Sequence, residues 1–258
     1  MIGTLILYNL LAMVAYMSLW FLVGWRRKKL NTVDVAWGSG FAILAWLVNY
    51  QQPSARNILI AILVTIWALR ITSHLARRVL LGGKEDPRYA ELSKKWKGNF
   101  WLRAYFSIFI LQGVLVVVIS LPIVMATGTQ HDGLAILSVF GAALWAIGFG
   151  IEAAADRQLR DFVSNPDNKG KVMDMGLWRY SRHPNYFGEM VQWWAIGIIA
   201  LQVNLGWIGL LGPATLTVLL LFVSGVPLIE KARQHDPQYR AYKRKTSMII
   251  PLPPRSRS

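Results

Sequence analysis

The sequence contains no cysteine, which excludes disulfides, thiolate metal sites and a cysteine nucleophile and leaves the redox compartment open. Histidine is scarce. The four, His74, His131, His183 and His235, stand at no i, i+3 or i, i+4 spacing and form no HExxH-type cluster, so no metal site is expected. Acidic residues are few as well, 13 against 28 Lys and Arg, for a formal charge of +15. A glycine-rich phosphate loop is also missing. "GFGIE" at 148–152 lacks a third glycine and lies inside an apolar run instead of following a strand, so it reads as helix packing and argues against a soluble dinucleotide fold. No linker, low-complexity block or internal repeat divides the chain, which reads as one helical domain over residues 1–258.

What the chain has in abundance is apolar surface: 54% of its residues are hydrophobic, and twelve are Trp. The apolar runs read as about seven spans, roughly 3 to 25, 35 to 50, 57 to 76, 104 to 126, 133 to 152, 185 to 203 and 206 to 228. Each is near the ~20 residues that a bilayer requires. The first is too long, and too free of a small-residue cleavage site, to be a secretory signal. The expectation is an all-α, polytopic membrane protein.

Charge orients it. The connections between spans alternate between short and basic, and 27 of the 28 Lys and Arg fall on one side, Arg56 alone on the other. The positive-inside rule then places the N-terminus outside and the C-terminus in the cytoplasm. The same partition accounts for the net charge without nucleic acid. Compact loops and no endoplasmic reticulum retention signal favour a bacterial inner membrane, or the endoplasmic reticulum if the chain is eukaryotic.

The stretch "GLWRYSRHPNYFGE", residues 176–189, concentrates polar groups where the sixth span begins. Pro184 suits the first turn of a helix, where its missing N–H costs nothing. That start aims free backbone N–H groups toward Arg179, Arg182 and His183, an arrangement suited to an anion such as phosphate. The plainer alternative is that these cations snorkel to lipid headgroups. Asn185 and Glu189, four apart, face the same way. Glu189 lies about one turn inside the membrane, where a carboxylate requires a partner, a polar ligand or a proton.

"LWRYSRHPNYFGE" resembles the C-terminal signature of the membrane steroid 5-alpha-reductase family, whose wider relatives include sterol reductases and isoprenylcysteine carboxyl methyltransferase. The resemblance extends from about Asn31 to Pro251. It implies that Arg182, Asn185, Tyr186 and Glu189 contact NADPH, with Asn185 and Glu189 at the nicotinamide end and Arg179 and His183 beside them. "DRQLR" resembles the family's cytoplasmic stretch that meets the cofactor, which makes Asp156 and Arg160 candidates for its ribose and phosphates; the alternative is a solvated helix end. "QYRAYKRKTSMIIP" resembles the closing segment and implies that Tyr239, Tyr242 or Lys245 folds over the adenosine half; the alternative is an interfacial belt of Tyr and Lys.

In "NTVDVAWGSGF", Asp34 resembles the acidic member of the family's catalytic pair, and would polarise the substrate carbonyl with Trp37 nearby. The alternative is an N-cap. The pair's tyrosine corresponds here to Trp67, in "IWALRIT", and an indole donates a hydrogen bond but cannot deliver a proton. The acid is then a protonated Asp34, a tyrosine from elsewhere or a water. Arg70, one turn from Trp67, would hold Asp34 ionised or join the residues that meet the cofactor.

The reaction the family implies is NADPH-dependent reduction of the carbon–carbon double bond of a 3-keto-4-ene steroid or similar lipophilic enone: hydride adds to the β carbon while an acid polarises the carbonyl. Such a substrate reaches the site through the lipid bilayer. Two other classes share the features read so far: a membrane methyltransferase using S-adenosylmethionine, and a non-catalytic sterol-binding protein.

Overall fold

The computed structural model describes residues 2–76, 98–127 and 135–255, together with Val79, Tyr89 and Trp96. Among the described residues the regular structure is helical, joined by turns and loops, with one isolated parallel bridge, Ser181 to Ser247. The long helices are α1 (Ile2–Arg27), α2 (Thr32–Gln51), α3 (Ala55–Ala76), α4 (Phe100–Ile119, with a π-helical turn over Tyr105–Ile110), the short α5 (Leu121–Met125), α6 (Ile136–Ser164) and α7 (Pro184–Ala200). A 3₁₀ turn, Gly206–Leu210, leads into α8 (Leu211–Val218), which runs through a π turn, Leu219–Val223, to α9 (Val226–Ala232) and then α10 (Pro237–Lys245).

Among the described residues, six segments are long and apolar enough to cross a membrane: α1, α2, α3, α4, α6 and Gly206–Ala232. The remaining predicted span is α7, whose 17 residues lie at the short end of what a bilayer requires. It starts at Pro184, as the proline implies. Two other segments depart from expectation. α6 does not stop near 152; Ala153 to Ser164 continue it for three turns, because Ala, Arg, Gln and Leu favour helix whether or not lipid surrounds them. Pro166 ends it by holding Asn165 extended, and the Asn165 side chain accepts from the Asp167 N–H at 3.0 Å. The last span breaks at Ser224–Gly225, after the π turn; a Cβ on Gly225 would collide with the Leu220 carbonyl oxygen.

The chain divides into two compact units. The first comprises residues 1–138 and 199–212. In it α2 and α3 approach closely at Gly38, where a Cβ would lie 2.5 Å from Thr72 Oγ1. One turn further along α2, the Phe41 ring meets buried Trp67 edge-on, centroids 5.5 Å apart, and Trp37 meets Phe41 in the same way at 5.2 Å. Arg56, the one basic residue assigned to the outer side, is fully buried, its Nε–H donating to the Ala126 carbonyl just past the end of α5.

The second unit comprises residues 139–198 and 213–258. α6 and α7 cross with their backbones touching: a Cβ on Gly148 would lie 2.7 Å from the Gly188 carbonyl oxygen, and one on Gly188 would lie 2.6 Å from Glu152 N. The packing role read for "GFGIE" is therefore correct for its first glycine. The segment before α7 is fixed from both sides. Trp178 Nε1–H donates to the Ala155 carbonyl of α6, and the Leu177 N–H to Gln158 Oε1. From the tail, the Arg182 N–H donates to the Ser247 carbonyl, and the Leu252 N–H to the Tyr180 carbonyl.

Arg182 is at the centre of this arrangement. It is buried, with Nε donating to Glu230 Oε1 at 2.9 Å, Nη2 lying 2.7 Å from the same oxygen, and Nη1 donating to the carbonyls of Lys243 and Thr246. Lys243 Nζ pairs with the other Glu230 oxygen. His183, also buried, stacks on Tyr186 with its Nε2 3.8 Å from Glu230. Burial lowers its pKa to about 4, against the pull of Glu230, so the ring is neutral at physiological pH.

Three outcomes are expected. In this cysteine-free chain, single cysteines at Ser54 and Asn168 label from opposite sides of the membrane, outside and inside; labelling from one side would end the proposed topology. Glu230→Ala leaves the Arg182 guanidinium buried without its carboxylate, at a cost of about 3 to 5 kcal/mol. It should lower the melting temperature in detergent and open the chain at Lys243 to Lys245 to trypsin. His183 has a folded pKa below its unfolded one, so its contribution is complete above pH 6.5 and is lost as pH falls toward 4. Roughly 2 to 4 kcal/mol is at stake. The wild-type melting temperature should therefore drop further over that window than that of His183→Gln, and equal drops would remove His183 as the cause.

Candidate functional site

Beyond the glycine crossing, α6 and α7 share a polar seam within the second unit. α6 contributes Glu152 and Asp156, four residues apart and so on one face; α7 contributes Asn185 and Gln192, and carries the buried Glu189 between them in sequence. Asn185 Nδ2–H donates to Asp156 Oδ1 at 3.1 Å, and Gln192 Nε2–H to Glu152 Oε2 at 2.6 Å and to the Gly188 carbonyl at 3.2 Å. Glu152, Glu189 and Gln192 are buried, at 4%, 9% and 1% exposure. Each amide that touches a carboxylate presents N–H to oxygen, as carboxylates buried among apolar helices require. Gln192 Oε1 is buried and accepts from no donor among the described residues.

The seam unites Asp156 and Asn185, two of the residues singled out from sequence, and adds Glu152 and Gln192, which were not. The signal for Glu152 lay in "GFGIE" itself: a carboxylate in an apolar run, one turn before Asp156. Arg160, one turn beyond Asp156, is exposed.

A second group surrounds a cleft of about 890 Å³ on the same unit. Lys171, Asp174, Arg179, Tyr242, Lys245 and Thr246 are among its lining residues. Three cations thus face a space within the size range of ligand sites. The tail folds back so that Tyr242 and Lys245 line this cleft, but the Tyr242 hydroxyl points into the protein, donating to the Trp178 carbonyl with the Ser181 carbonyl also within reach. Burial raises its pKa, so it remains a neutral donor there. Tyr239 lies edge-on against it with Arg233 over its ring, its own pKa raised by burial.

Arg182 and His183 belong to neither group. Both are engaged at Glu230, a residue sequence reasoning passed over because its partner is 48 positions away. Tyr186 stacks on His183 and packs against the Met190, Val226 and Ile249 cluster.

In the first unit, Asp34 is half-buried in the first turn of α2. The N-cap reading is overturned: the helix begins at Thr32 after Asn31, which leaves Asp34 the third helical residue, and its Oδ1 instead accepts from the Tyr89 hydroxyl at 2.6 Å. Trp67 is buried against Phe41, whereas Trp37 and Arg70 are half-buried. Among the described residues no group of His, Asp and Glu has the arrangement of a metal site.

The two groups, taken separately, carry the residue types that the two ends of a nicotinamide dinucleotide require. Buried carboxylates and the Gln192 oxygen can accept from a carboxamide N–H₂, and the cations of the cleft can meet phosphate.

Comparison with known proteins gives one match over nearly the whole chain and two over part of it. An uncharacterized protein of Schizosaccharomyces pombe, C594.04c, is 27% identical over 94% of this chain and 78% of its own length. The 3-oxo-5-alpha-steroid 4-dehydrogenase 1 proteins of Bos taurus and Mus musculus are 30% and 29% identical over 116 residues. Those matches take in 43% of this chain and about two fifths of each dehydrogenase, 40% and 41%. No solved structure matches. The family described as protein of unknown function DUF1295 matches residues 20–246, from within α1 to just past α10. The chain therefore belongs to the DUF1295 family, and its likeness to the two steroid dehydrogenases bears out the resemblance read from its sequence.

Proposed function

We infer that the protein is a membrane oxidoreductase that reduces the carbon–carbon double bond of a steroid-like or similarly flat, lipophilic enone with NADPH. The observation that carries this reading is the α6–α7 seam, where the buried carboxylate of Glu152 meets Gln192 and Asn185 meets Asp156, with an acceptor oxygen on Gln192 and a second buried carboxylate, Glu189, on the same helix α7. The likeness to relatives named as 3-oxo-5-alpha-steroid 4-dehydrogenases supports a steroid-like substrate class.

When bound, the cofactor supplies a hydride. The chain's own residues do the rest. Glu189 and Asn185 orient the carboxamide end, with Asp156 holding the Asn185 amide by its N–H. Arg179, Lys171 and Lys245 hold phosphate in the cleft. Arg182 and His183 act at one remove, fixing the start of α7 and the tail through Glu230. In the first unit Asp34 serves the carbonyl end of the substrate, and Trp37, Phe41 and Trp67 offer flat apolar walls.

Thermal-shift titration with NADPH, NADH and S-adenosylmethionine separates the classes. Stabilisation by NADPH above NADH is expected, because each cation paired with the 2′-phosphate adds ~1 to 3 kcal/mol. A shift with S-adenosylmethionine alone would favour a methyltransferase, and none with any of the three a non-catalytic binder. Glu189→Gln should weaken NADPH binding by about 1 to 3 kcal/mol, the loss of one charge-assisted hydrogen bond. Asp34→Asn should leave NADPH affinity nearly unchanged and slow turnover of testosterone or progesterone. The opposite pattern would reverse the assignment of the two halves, and normal turnover of both variants would remove both carboxylates from the site.

A further inference from the structure

Reduction of an enone requires an acid at its carbonyl, and the residue at the expected position, Trp67, has no proton to give. It is 2% exposed and packed edge-on against Phe41. A phenol reaches the carboxylate from elsewhere in the same unit. Tyr89, 55 residues beyond Asp34 in "EDPRY" and 9% exposed, donates its hydroxyl to Asp34 Oδ1 at 2.6 Å. That is the short, charge-assisted O–H···O⁻ geometry. A tyrosine that only tied down its own segment would serve with any polar contact. One that shares a half-buried carboxylate with a helix start, in a chain whose expected acid is an indole, has a proton to deliver and a group through which to replace it.

We propose that Tyr89 is the catalytic acid of this protein and Asp34 its proton relay. The inference rests on the reductase reading above. As hydride adds to the β carbon of the enone, the π electrons move to the carbonyl oxygen, the Tyr89 O–H bond breaks and an O–H bond forms on that oxygen. The product of the step is an enol. The Asp34 carboxylate, which accepts the Tyr89 hydroxyl at rest, takes a proton from water and passes it to the Tyr89 oxygen, restoring the phenol and leaving the carboxylate ionised. The enol then loses its O–H proton to solvent and gains a C–H bond at the α carbon. In sum the enone gains one hydride, which carries two electrons from the nicotinamide, and one proton from water.

The test measures three quantities on the full chain in detergent or nanodiscs: NADPH affinity, single-turnover reduction of testosterone, and the infrared carbonyl stretch of the bound, carbonyl-¹³C-labelled steroid. In Tyr89→Phe, NADPH affinity should match wild type, which also establishes that the variant is folded. The rate should fall roughly 10²- to 10⁴-fold, and the downshift of the carbonyl stretch seen in wild type should be lost. Trifluorotyrosine placed at 89 keeps the shape with a more acidic hydroxyl, so the alkaline limb of the pH–rate profile should move to lower pH; a tyrosine with a purely structural role would leave it in place. A Tyr89→Phe protein with wild-type rate and wild-type carbonyl stretch overturns the proposal while leaving the reductase reading intact. A wild type that takes up no NADPH and reduces no enone overturns both. If Tyr89→Phe does not fold, the trifluorotyrosine profile decides alone: a shifted limb supports the proposal and an unshifted one overturns it.

Discussion

The buried guanidinium of Arg182 sets the arrangement of the second unit. A cation removed from water is tolerable only with its charge neutralised and its N–H groups directed at acceptors. Arg182 obtains these from Glu230 and from the carbonyls of Lys243 and Thr246. The demand draws three distant pieces of chain together: the turn before α7, the short helix α9 and the end of α10. Once they meet, the Ser181–Ser247 bridge and the Tyr242 hydroxyl against the Trp178 carbonyl follow at short range. The walls of the cationic cleft, Arg179 from one side and Tyr242, Lys245 and Thr246 from the other, are the two sides of this one junction. Charge here builds the container in which other charges can be presented.

The seam between α6 and α7 follows a different logic. Gly148 and Gly188 remove the side chains that would hold the helices apart, and the resulting backbone contact brings short polar side chains within hydrogen-bonding distance one turn to either side. Carboxylates are costly in such surroundings, and amides relieve that cost without adding a charge. An amide, unlike a lysine, also presents an acceptor. Gln192 shows the consequence: its N–H₂ is used within the protein and its oxygen is left for another donor.

How much of this was legible in the sequence depended on distance along the chain. The start of α7 at Pro184 is written in one residue, and Asn185 and Glu189 follow from helical spacing. The true length of α6 was not legible from hydropathy, because an apolar run reports where lipid ends, whereas Ala153 to Ser164 continue the helix on propensity. Glu152 was overlooked because its neighbours Gly148 and Gly150 drew attention to the backbone. Glu230 and Tyr89 were out of reach altogether. Their partners lie 48 and 55 positions away, and no periodicity encodes a contact made by tertiary folding.

Asp34 shows how local and distant signals combine. Its place in the first turn of α2 is a local fact, and a helix start favours negative charge there through its free N–H groups. That property suits a cap, a structural ion or a catalytic carboxylate equally, so position alone assigns no role. The choice is made by what the carboxylate touches. A cap would accept from the backbone of its own helix; Asp34 accepts instead from the phenol of Tyr89. The first unit holds the phenol of Tyr89 and the carboxylate of Asp34, 55 positions apart in sequence, in one short hydrogen bond. In the proposed mechanism, proton delivery depends on these two residues meeting, not on the tyrosine of a single span. A family signature read along one helix would not detect that arrangement.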